Sequence, residues 1–183
     1  MLYPKKGGGE FELVPAGTFQ AVCNGVWSLG RQKSSYMGKE RIVPKLIIRW
    51  EIEELMTKGT YEGKRFCIAK FYRNTTSPKG ALRKDIEAWR GQKFTDDGFD
   101  NFDIEKLVGV NCMITVAHAE SNGQTYANII AVTGIPKNMK GLNKMIPENK
   151  FELLDWVKKM QDEALPEEEK DEMEIPGSDQ IPF

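Results

Sequence analysis

The chain has one histidine, three cysteines and no long apolar run among its 183 residues. A helix that spans a bilayer needs about 20 mostly apolar residues in succession, so the sequence predicts no membrane span. After Met1 and Leu2 it continues through Pro4 into lysines and glycines, without the apolar core of a signal peptide. We therefore expect a protein of the cytoplasm.

The cysteines exclude a disulfide framework. Cys23, Cys67 and Cys112 are odd in number, far apart, and each lies in an apolar, strand-like run. This usage is typical of buried thiols in a reducing compartment. A structural zinc site needs closely spaced ligand pairs, and His118 has no cysteine within four positions. We expect no metal and no cofactor.

Few patterns here indicate catalysis. The sequence has no glycine-rich phosphate loop and no nucleophile elbow. Cys112 and His118 share a strand face, but a rise of about 3.3 Å per residue separates them by about 20 Å. The sequence leaves open a catalytic Cys–His pair in which His118 meets Cys23 or Cys67 from another strand. The acidic stretch 96–103 lacks EF-hand spacing, which favours a solvated loop over a metal site. We therefore expect that the protein is not an enzyme. A small metal-dependent nuclease ranks third, after the DNA-binding and adaptor functions considered below.

Charge is distributed unevenly along the chain. Residues 1–160 carry 25 Lys and Arg against 18 Asp and Glu, whereas residues 161–183 carry one Lys and nine acids. A basic body with an acidic tail is typical of a polyanion binder. The same division suggests that the tail competes with nucleic acid for the body. Truncation after residue 160 should then tighten DNA binding at low salt.

Alternating apolar and polar residues predict a mainly β protein. A long loop at 30–41 follows the first strand, and Asn122-Gly123 predicts a hairpin between the last two strands. The expected fold is a five-stranded OB-fold barrel with a helix between strands three and four, plus a C-terminal helix and an acidic disordered tail. The predicted strands are 18–29, 43–52, 64–73, 111–119 and 125–132. One predicted helix begins at Ser77-Pro78 and ends at Gly91, and a second covers 151–164.

Four segments follow from these patterns. Three consecutive glycines predict a flexible N-terminal arm over residues 1–14. Residues 15–136 form the predicted OB-fold nucleic-acid-binding domain, and residues 137–165 a linker with the C-terminal helix. Residues 166–183 have the composition of a disordered acidic tail with a partner-binding tip.

Basic and aromatic residues cluster in the first loop and in strands two and three. Cations that follow phosphates and rings that stack on bases are the two requirements for holding a single strand. Phe71, on the other face of its strand, is an alternative to Tyr72 as a base-stacking residue. Neutralising about five phosphates would give a log–log salt slope of roughly −3.5. The candidate nucleic-acid-binding residues are Trp27, Arg31, Lys33, Tyr36, Lys39, Arg41, Arg49, Lys70, Tyr72 and Arg73.

Each tryptophan has two possible roles, packing in the core or stacking on a base. Trp50 shares the apolar face of its strand, and Trp89 and Trp156 lie on apolar helix faces, so all three are interpreted as core residues. Trp27 fits both interpretations equally. Tyr36 lies in a polar stretch without an apolar pattern, which favours a functional role.

The chain ends with Asp179-Gln180-Ile181-Pro182-Phe183, and this Asp-x-Ile-Pro-Phe ending resembles the C-terminal tip of bacterial single-stranded-DNA-binding proteins. The partner-binding residues would be Asp179, Ile181, Pro182 and Phe183, while Gln180 stands where an acid is usual. With the strand order and the basic loop, the chain is similar to bacteriophage-encoded single-stranded-DNA-binding proteins, specifically at the tip and loosely over 15–136.

The resemblance implies a protein that binds and protects single-stranded DNA with little sequence specificity during phage DNA replication and recombination. Its tip would recruit replication, recombination or repair proteins, and homo-oligomerisation stays open. The alternative is an OB-fold adaptor of the replication machinery that does not bind DNA itself. Such an adaptor would capture partners after nuclease treatment and show no fluorescence quenching with oligonucleotides.

Overall fold

A computed structural model of the chain describes residues 12–145 and 154–166, without the side chains of Tyr36 and Leu154. Within these ranges it is mainly β, with a helix between the third and fourth strands and a further helix near the C-terminus, as predicted. The strands are β1 (Gly17–Tyr36), β2 (Lys39–Leu55), β3 (Arg65–Arg73), β4 (Asn111–Ser121) and β5 (Gln124–Thr133). The helices are α1 (Ala81–Arg90), α2 (Asp96–Asp100) and α3 (Leu154–Asp162), with a 3-10 turn at Ile104–Leu107.

The strands form one antiparallel sheet in the order β3-β2-β1-β4-β5. Within the described residues no ladder joins the two edge strands β3 and β5, so the sheet is not closed. Helix α1 contacts both edges. The five-stranded architecture is therefore confirmed, whereas a closed barrel stays a prediction.

The predicted loop at 30–41 is instead the outer half of a long β1–β2 hairpin. The ladder continues from Arg31 opposite Pro44 to Tyr36 opposite Lys39. Met37 and Gly38 close it with φ values of 49° and 75°. Two successive positive φ angles are the signature of the tight turn that suits twisted strands. The loop prediction was wrong because Met-Gly is not the usual turn dipeptide and the flanking residues are mostly polar.

The main core lies between one face of the sheet and α1. Trp50 and Ile114 are fully buried on the sheet, and Ile86 and Trp89 are buried on the helix. The rings of Trp50 and Trp89 are 5.9 Å apart between centroids. The prediction that these two tryptophans are core residues is confirmed. We call this side of the sheet the inner face.

Helix α1 begins later than predicted and ends where predicted. Its N-cap is Gly80, without a side-chain cap, so Ser77-Pro78 lies in the preceding turn. Its C-cap Gly91 has a φ of 68°, and its N–H donates to the carbonyls of Ala88 and Glu87. Glycine adopts this left-handed conformation without the steric cost that a β-carbon imposes.

Residues 12–14, which the sequence assigns to the N-terminal arm, contact the folded domain. Val14 is buried in the main core. The Glu12 carboxylate accepts hydrogen bonds of 2.7 and 2.8 Å from the backbone N–H and the hydroxyl of Thr57. The carbonyl of Val14 lies 2.8 Å from Nε2 of His118. Residues 12–14 are therefore anchored, and residues 1–11 lie outside the described ranges.

After β5 the chain returns across the sheet. The amide of Gln20 donates to the carbonyl of Lys140 at 2.6 Å. The N–H of Leu142 donates to Oδ1 of Asn111, whose Nδ2 donates back to the Leu142 carbonyl. The N–H of Met145 then reaches the Glu51 carboxylate at 2.9 Å. This path leads towards the face opposite α1, where α3 packs.

The C-terminal helix predicted at 151–164 is confirmed over its described part, Leu154–Asp162. In the two described ranges no helix is both long and apolar enough to cross a membrane.

Candidate nucleic-acid interface

The face of β1, β2 and β3 that lies opposite α1 brings several predicted residues together, and we call it the outer face. Its positions follow from the register, in which residues directly across a ladder share a face. One row joins Trp27, Ile47 and Phe71, and a neighbouring row joins Lys45 and Arg73. Since the β2 ladder towards the hairpin turn is regular, Arg41 and Lys39 continue the face.

Four cations therefore lie along one face, and we call them the basic stripe. Lys39, Arg41 and Arg73 are exposed, and Lys45 is half-buried. Among the described residues no carboxylate forms an ion pair with any of them. Like charges directly opposite each other on a sheet are destabilising, and Lys45 is opposite Arg73. Apart from a 3.4 Å hydrogen bond from Nζ of Lys45 to the carbonyl of Lys33, the stripe is therefore a positive surface without carboxylate partners in the described part of the chain, which suits a polyanion.

Helix α3 packs on the outer face beside the basic stripe. Val157 forms a small core with Leu29 and Ile47, separate from the main core. Trp156 contacts Phe71 at 5.7 Å between ring centroids, with an interplanar angle of 48°. Phe71 remains 51% exposed, an unusually open position for a phenylalanine on a strand. An apolar ring surface therefore adjoins the cations.

Hydrogen bonds to β1 hold α3 in place. Nε2 of Gln32 donates to the carbonyl of Met160 at 2.7 Å, and Nε2 of Gln161 donates to the carbonyl of Ser28 at 2.6 Å. The N–H of Leu165 donates to the Arg31 carbonyl at 3.0 Å. A nine-residue helix is marginal alone in water, so these bonds and the small apolar core determine its position.

Trp27 lies flat against the sheet beneath α3. A β-carbon on Gly25 would be only 2.0 Å from the indole, so glycine is required for this ring position. The guanidinium of Arg49 lies 4.8 Å from the ring centroid, within the range of a cation–π contact. Both predicted DNA contacts are thus on the outer face, but Trp27 is half-buried and Arg49 is only 4% exposed.

Arg49 belongs to a buried polar network. Its Nε donates to Oδ1 of Asn24 at 2.8 Å, and Nδ2 of Asn24 donates to the Glu51 carboxylate at 3.2 Å. The same carboxylate pairs with Arg65 at 3.5 Å. Burial lowers the pKa of Arg49 from its usual value. In this conformation Arg49 supports the sheet and offers little surface to a phosphate.

A small cavity of about 40 Å³ lies between this network and α3, bordered by Arg49, Cys67 and Trp156. That volume is enough for one water molecule beside polar groups. Burial raises the pKa of the Cys67 thiol to about 12. The thiol is consequently a poor nucleophile near neutral pH, because thiolate is the reactive form.

Lys70 and Tyr72 lie on the inner face, so the structure separates them from the basic stripe. The register places them opposite Ile48 and Leu46. Nζ of Lys70 and the hydroxyl of Tyr72 contact one oxygen of Asp85 on α1, at 2.6 and 2.8 Å. Tyr72 is 3% exposed, and burial, followed by Asp85, raises its pKa. This burial leaves no ring face of Tyr72 for a base.

The remaining candidates are scattered. Lys33 is exposed on the other face of the hairpin, opposite Ile42. Nη1 of Arg31 donates to the carbonyl of Pro166 at 3.3 Å. The backbone of Tyr36 pairs with Lys39, and its ring is not described. The tip residues Asp179, Ile181, Pro182 and Phe183 lie outside the described residues.

Sequence reasoning missed Lys45 as a site residue, although the alternation already placed it on the face of Arg49. It also missed the network of Asn24 and Glu51, since a buried polar cluster on an outer face requires a covering element. That cover is supplied by Met145 and α3, whose position has no local sequence signal.

The residues that the sequence offered for catalysis or metal binding do not form a site within the described residues. Cys23, Cys67 and Cys112 are unbridged, and Cys23 and Cys112 are buried. Asp96 accepts a 2.7 Å bond from Arg83, and Asp103 caps the 3-10 turn. In the residues that the structure describes, no cluster of three or more His, Cys, Asp or Glu could hold a metal ion.

The chain was also compared with known proteins, and it matches no protein-family model and no curated protein. The functional interpretation therefore depends on the outer face and on the sequence of the tail.

Proposed function

We propose that the body binds single-stranded DNA along the outer face of β2 and β3, with little sequence preference. The observation that carries this proposal is the basic stripe, in which Lys45 and Arg73 face each other without a described carboxylate partner. A bound phosphate backbone would relieve that repulsion. Phe71 adjoins the cations and offers a stacking surface that does not discriminate between bases.

The fold supports the proposal through its strand order. In β3-β2-β1-β4-β5 the two ends of the sheet are the strands that an OB-type barrel would join. Helix α1 contacts both ends and covers the inner face between them. We infer an OB-type fold in which α1 fills the gap between β3 and β5. In such folds the face of strands two and three is a common nucleic-acid surface.

The tail would recruit partner proteins during replication, recombination or repair. Phe183 would supply an apolar ring, and Pro182 would preorganise the peptide. Asp179 would direct the tip towards a basic rim on the partner. This proposal derives from the sequence of the tip and from its resemblance to bacterial single-stranded-DNA-binding proteins.

The direct test is tryptophan quenching by oligo-dT and by a matched duplex, each at two salt concentrations. We expect preference for the single strand and a log–log salt slope of about −2.8, because the stripe supplies four cations and single strands give about −0.7 per phosphate. Equal affinity for duplex, or an affinity insensitive to salt, would contradict the proposal. Absence of binding, with a protein partner that survives nuclease treatment, would instead support the adaptor function.

A further inference from the structure

We propose that the C-terminal helix α3 is part of the binding surface, and that Trp156 and Phe71 together form the stacking platform for an unpaired base. This inference depends on the proposed single-stranded-DNA binding and assigns a new role to Trp156. The phosphate of the same nucleotide would lie between Lys45 and Arg73.

The two rings come from different parts of the chain, β3 and α3, yet they meet at 5.7 Å between centroids. Trp156 packs from one side on the small core of Leu29, Ile47 and Val157. Phe71 keeps about half its surface in solvent. Because the two rings are tilted by 48°, an unpaired base would stack on the exposed Phe71 ring and contact the edge of Trp156, which the small core holds in place.

The cations lie at a suitable spacing from the rings. Arg73 is two residues beyond Phe71 on β3, which corresponds to about 7 Å along a strand on the same face. Lys45 is directly opposite Arg73 and extends the cationic patch to β2. A nucleotide has its flat base and its anionic phosphate at two ends, so rings and cations at this spacing match both of its parts.

Helix α3 is better suited to be a component of the surface than a displaceable cover. Three described hydrogen bonds join its C-terminal half and the following residues to Ser28, Arg31 and Gln32 of β1. Displacing it would expose the buried side chains of Leu29 and Ile47 to water, at a cost in free energy.

The test uses the full chain and measures binding by fluorescence anisotropy to two labelled strands, oligo-dT and an abasic strand of equal length. Phe71→Ala removes one ring. Trp156→Leu removes the other while keeping apolar volume against the small core. Ile130→Ala, at an exposed position on β5, is the matched control. Stacking on an aromatic ring typically strengthens binding about five-fold or more per base.

We expect each ring variant to bind oligo-dT about five-fold or more weakly than the wild type and to bind the abasic strand equally well. Ile130→Ala should behave as the wild type on both strands. Unchanged affinity of the ring variants for oligo-dT would overturn the inference, and so would an equal loss on the abasic strand. Tighter binding by Trp156→Leu would identify α3 as a cover and also overturn it. If the wild type binds neither strand, the proposed function itself fails.

Discussion

Glu51 is a buried carboxylate on the outer face of the sheet, with 0% of its surface exposed. It accepts hydrogen bonds from Asn24 and from the N–H of Met145, and it pairs with Arg65. Arg49 is linked to it through Asn24. Because buried charges are tolerated only when they are paired and hydrogen-bonded, each member of this network depends on the others.

We expect Glu51→Gln to lower the free energy of unfolding by about 3 kcal/mol, since removing one partner of a buried ion pair leaves the other uncompensated. The measurement is urea unfolding of the full chain. Glu54→Gln, at an exposed position on the same strand, is the control and should change stability by less than about 0.5 kcal/mol. Equal stability of both variants would show that the network contributes little.

Burial of ionisable groups also predicts sensitivity to alkali. The pKa of Cys67 is raised from 9.0 to about 12, so between pH 9 and 12 the unfolded chain loses this proton while the folded chain keeps it. The native state then binds more protons, and stability falls by about 1.4 kcal/mol per pH unit for this group. Unfolding experiments should show a shallower decline between pH 9 and 11 for Cys67→Ala. An identical decline would contradict the assignment.

At the scale of elements, the β1–β2 hairpin contributes most to the proposed site. Its outer half carries Lys39 and Arg41 well beyond the core. Because the ladder continues to the Met37-Gly38 turn, these cations are held on a defined face, which a loop would not achieve.

We expect Lys39→Gln/Arg41→Gln to reduce the log–log salt slope for oligo-dT from about −2.8 to about −1.4, because two phosphate contacts are lost. The measurement is a salt titration of affinity. Lys79→Gln/Lys84→Gln, at exposed positions before and on α1, removes the same charge from another surface. A similar reduction by both double variants would indicate a general charge effect.

Strands were largely predictable from the sequence, and their surroundings were not. The alternation along β2 and β3 and the Asn122-Gly123 turn gave four strand positions within a few residues, because these patterns are local. The alternation of β3 could not show which face meets α1, since Tyr72 and Phe71 each accompany a cation. The burial of Phe66, Ile68 and Tyr72 in the main core and the contact of Tyr72 with Asp85 decide this, and such contacts depend on tertiary structure.

At the scale of the whole molecule, a basic body is joined to an acidic C-terminus. Residues 167–183 carry seven acids and one lysine. The predicted cut after residue 160 would also remove groups that contact β1, among them Gln161 and Leu165. A cut after residue 166 removes the acidic residues and keeps these contacts.

We expect truncation after residue 166 to tighten binding to oligo-dT at low salt, because the tail competes with DNA for the basic stripe. The difference should shrink as salt rises, since exposed charges are screened. Anisotropy titrations at two salt concentrations measure this effect. Unchanged or weaker binding by the truncated chain at low salt would reject self-competition.

We propose that the basic stripe holds the single strand, and the affinity of Lys45→Gln/Arg73→Gln for oligo-dT is the measurement that decides this. The substitution removes two like charges that face each other, so the thermal midpoint should stay the same or rise. We expect the affinity at low salt to fall about tenfold or more while the protein stays folded. An affinity equal to that of the wild type, in a folded variant, would contradict the claim.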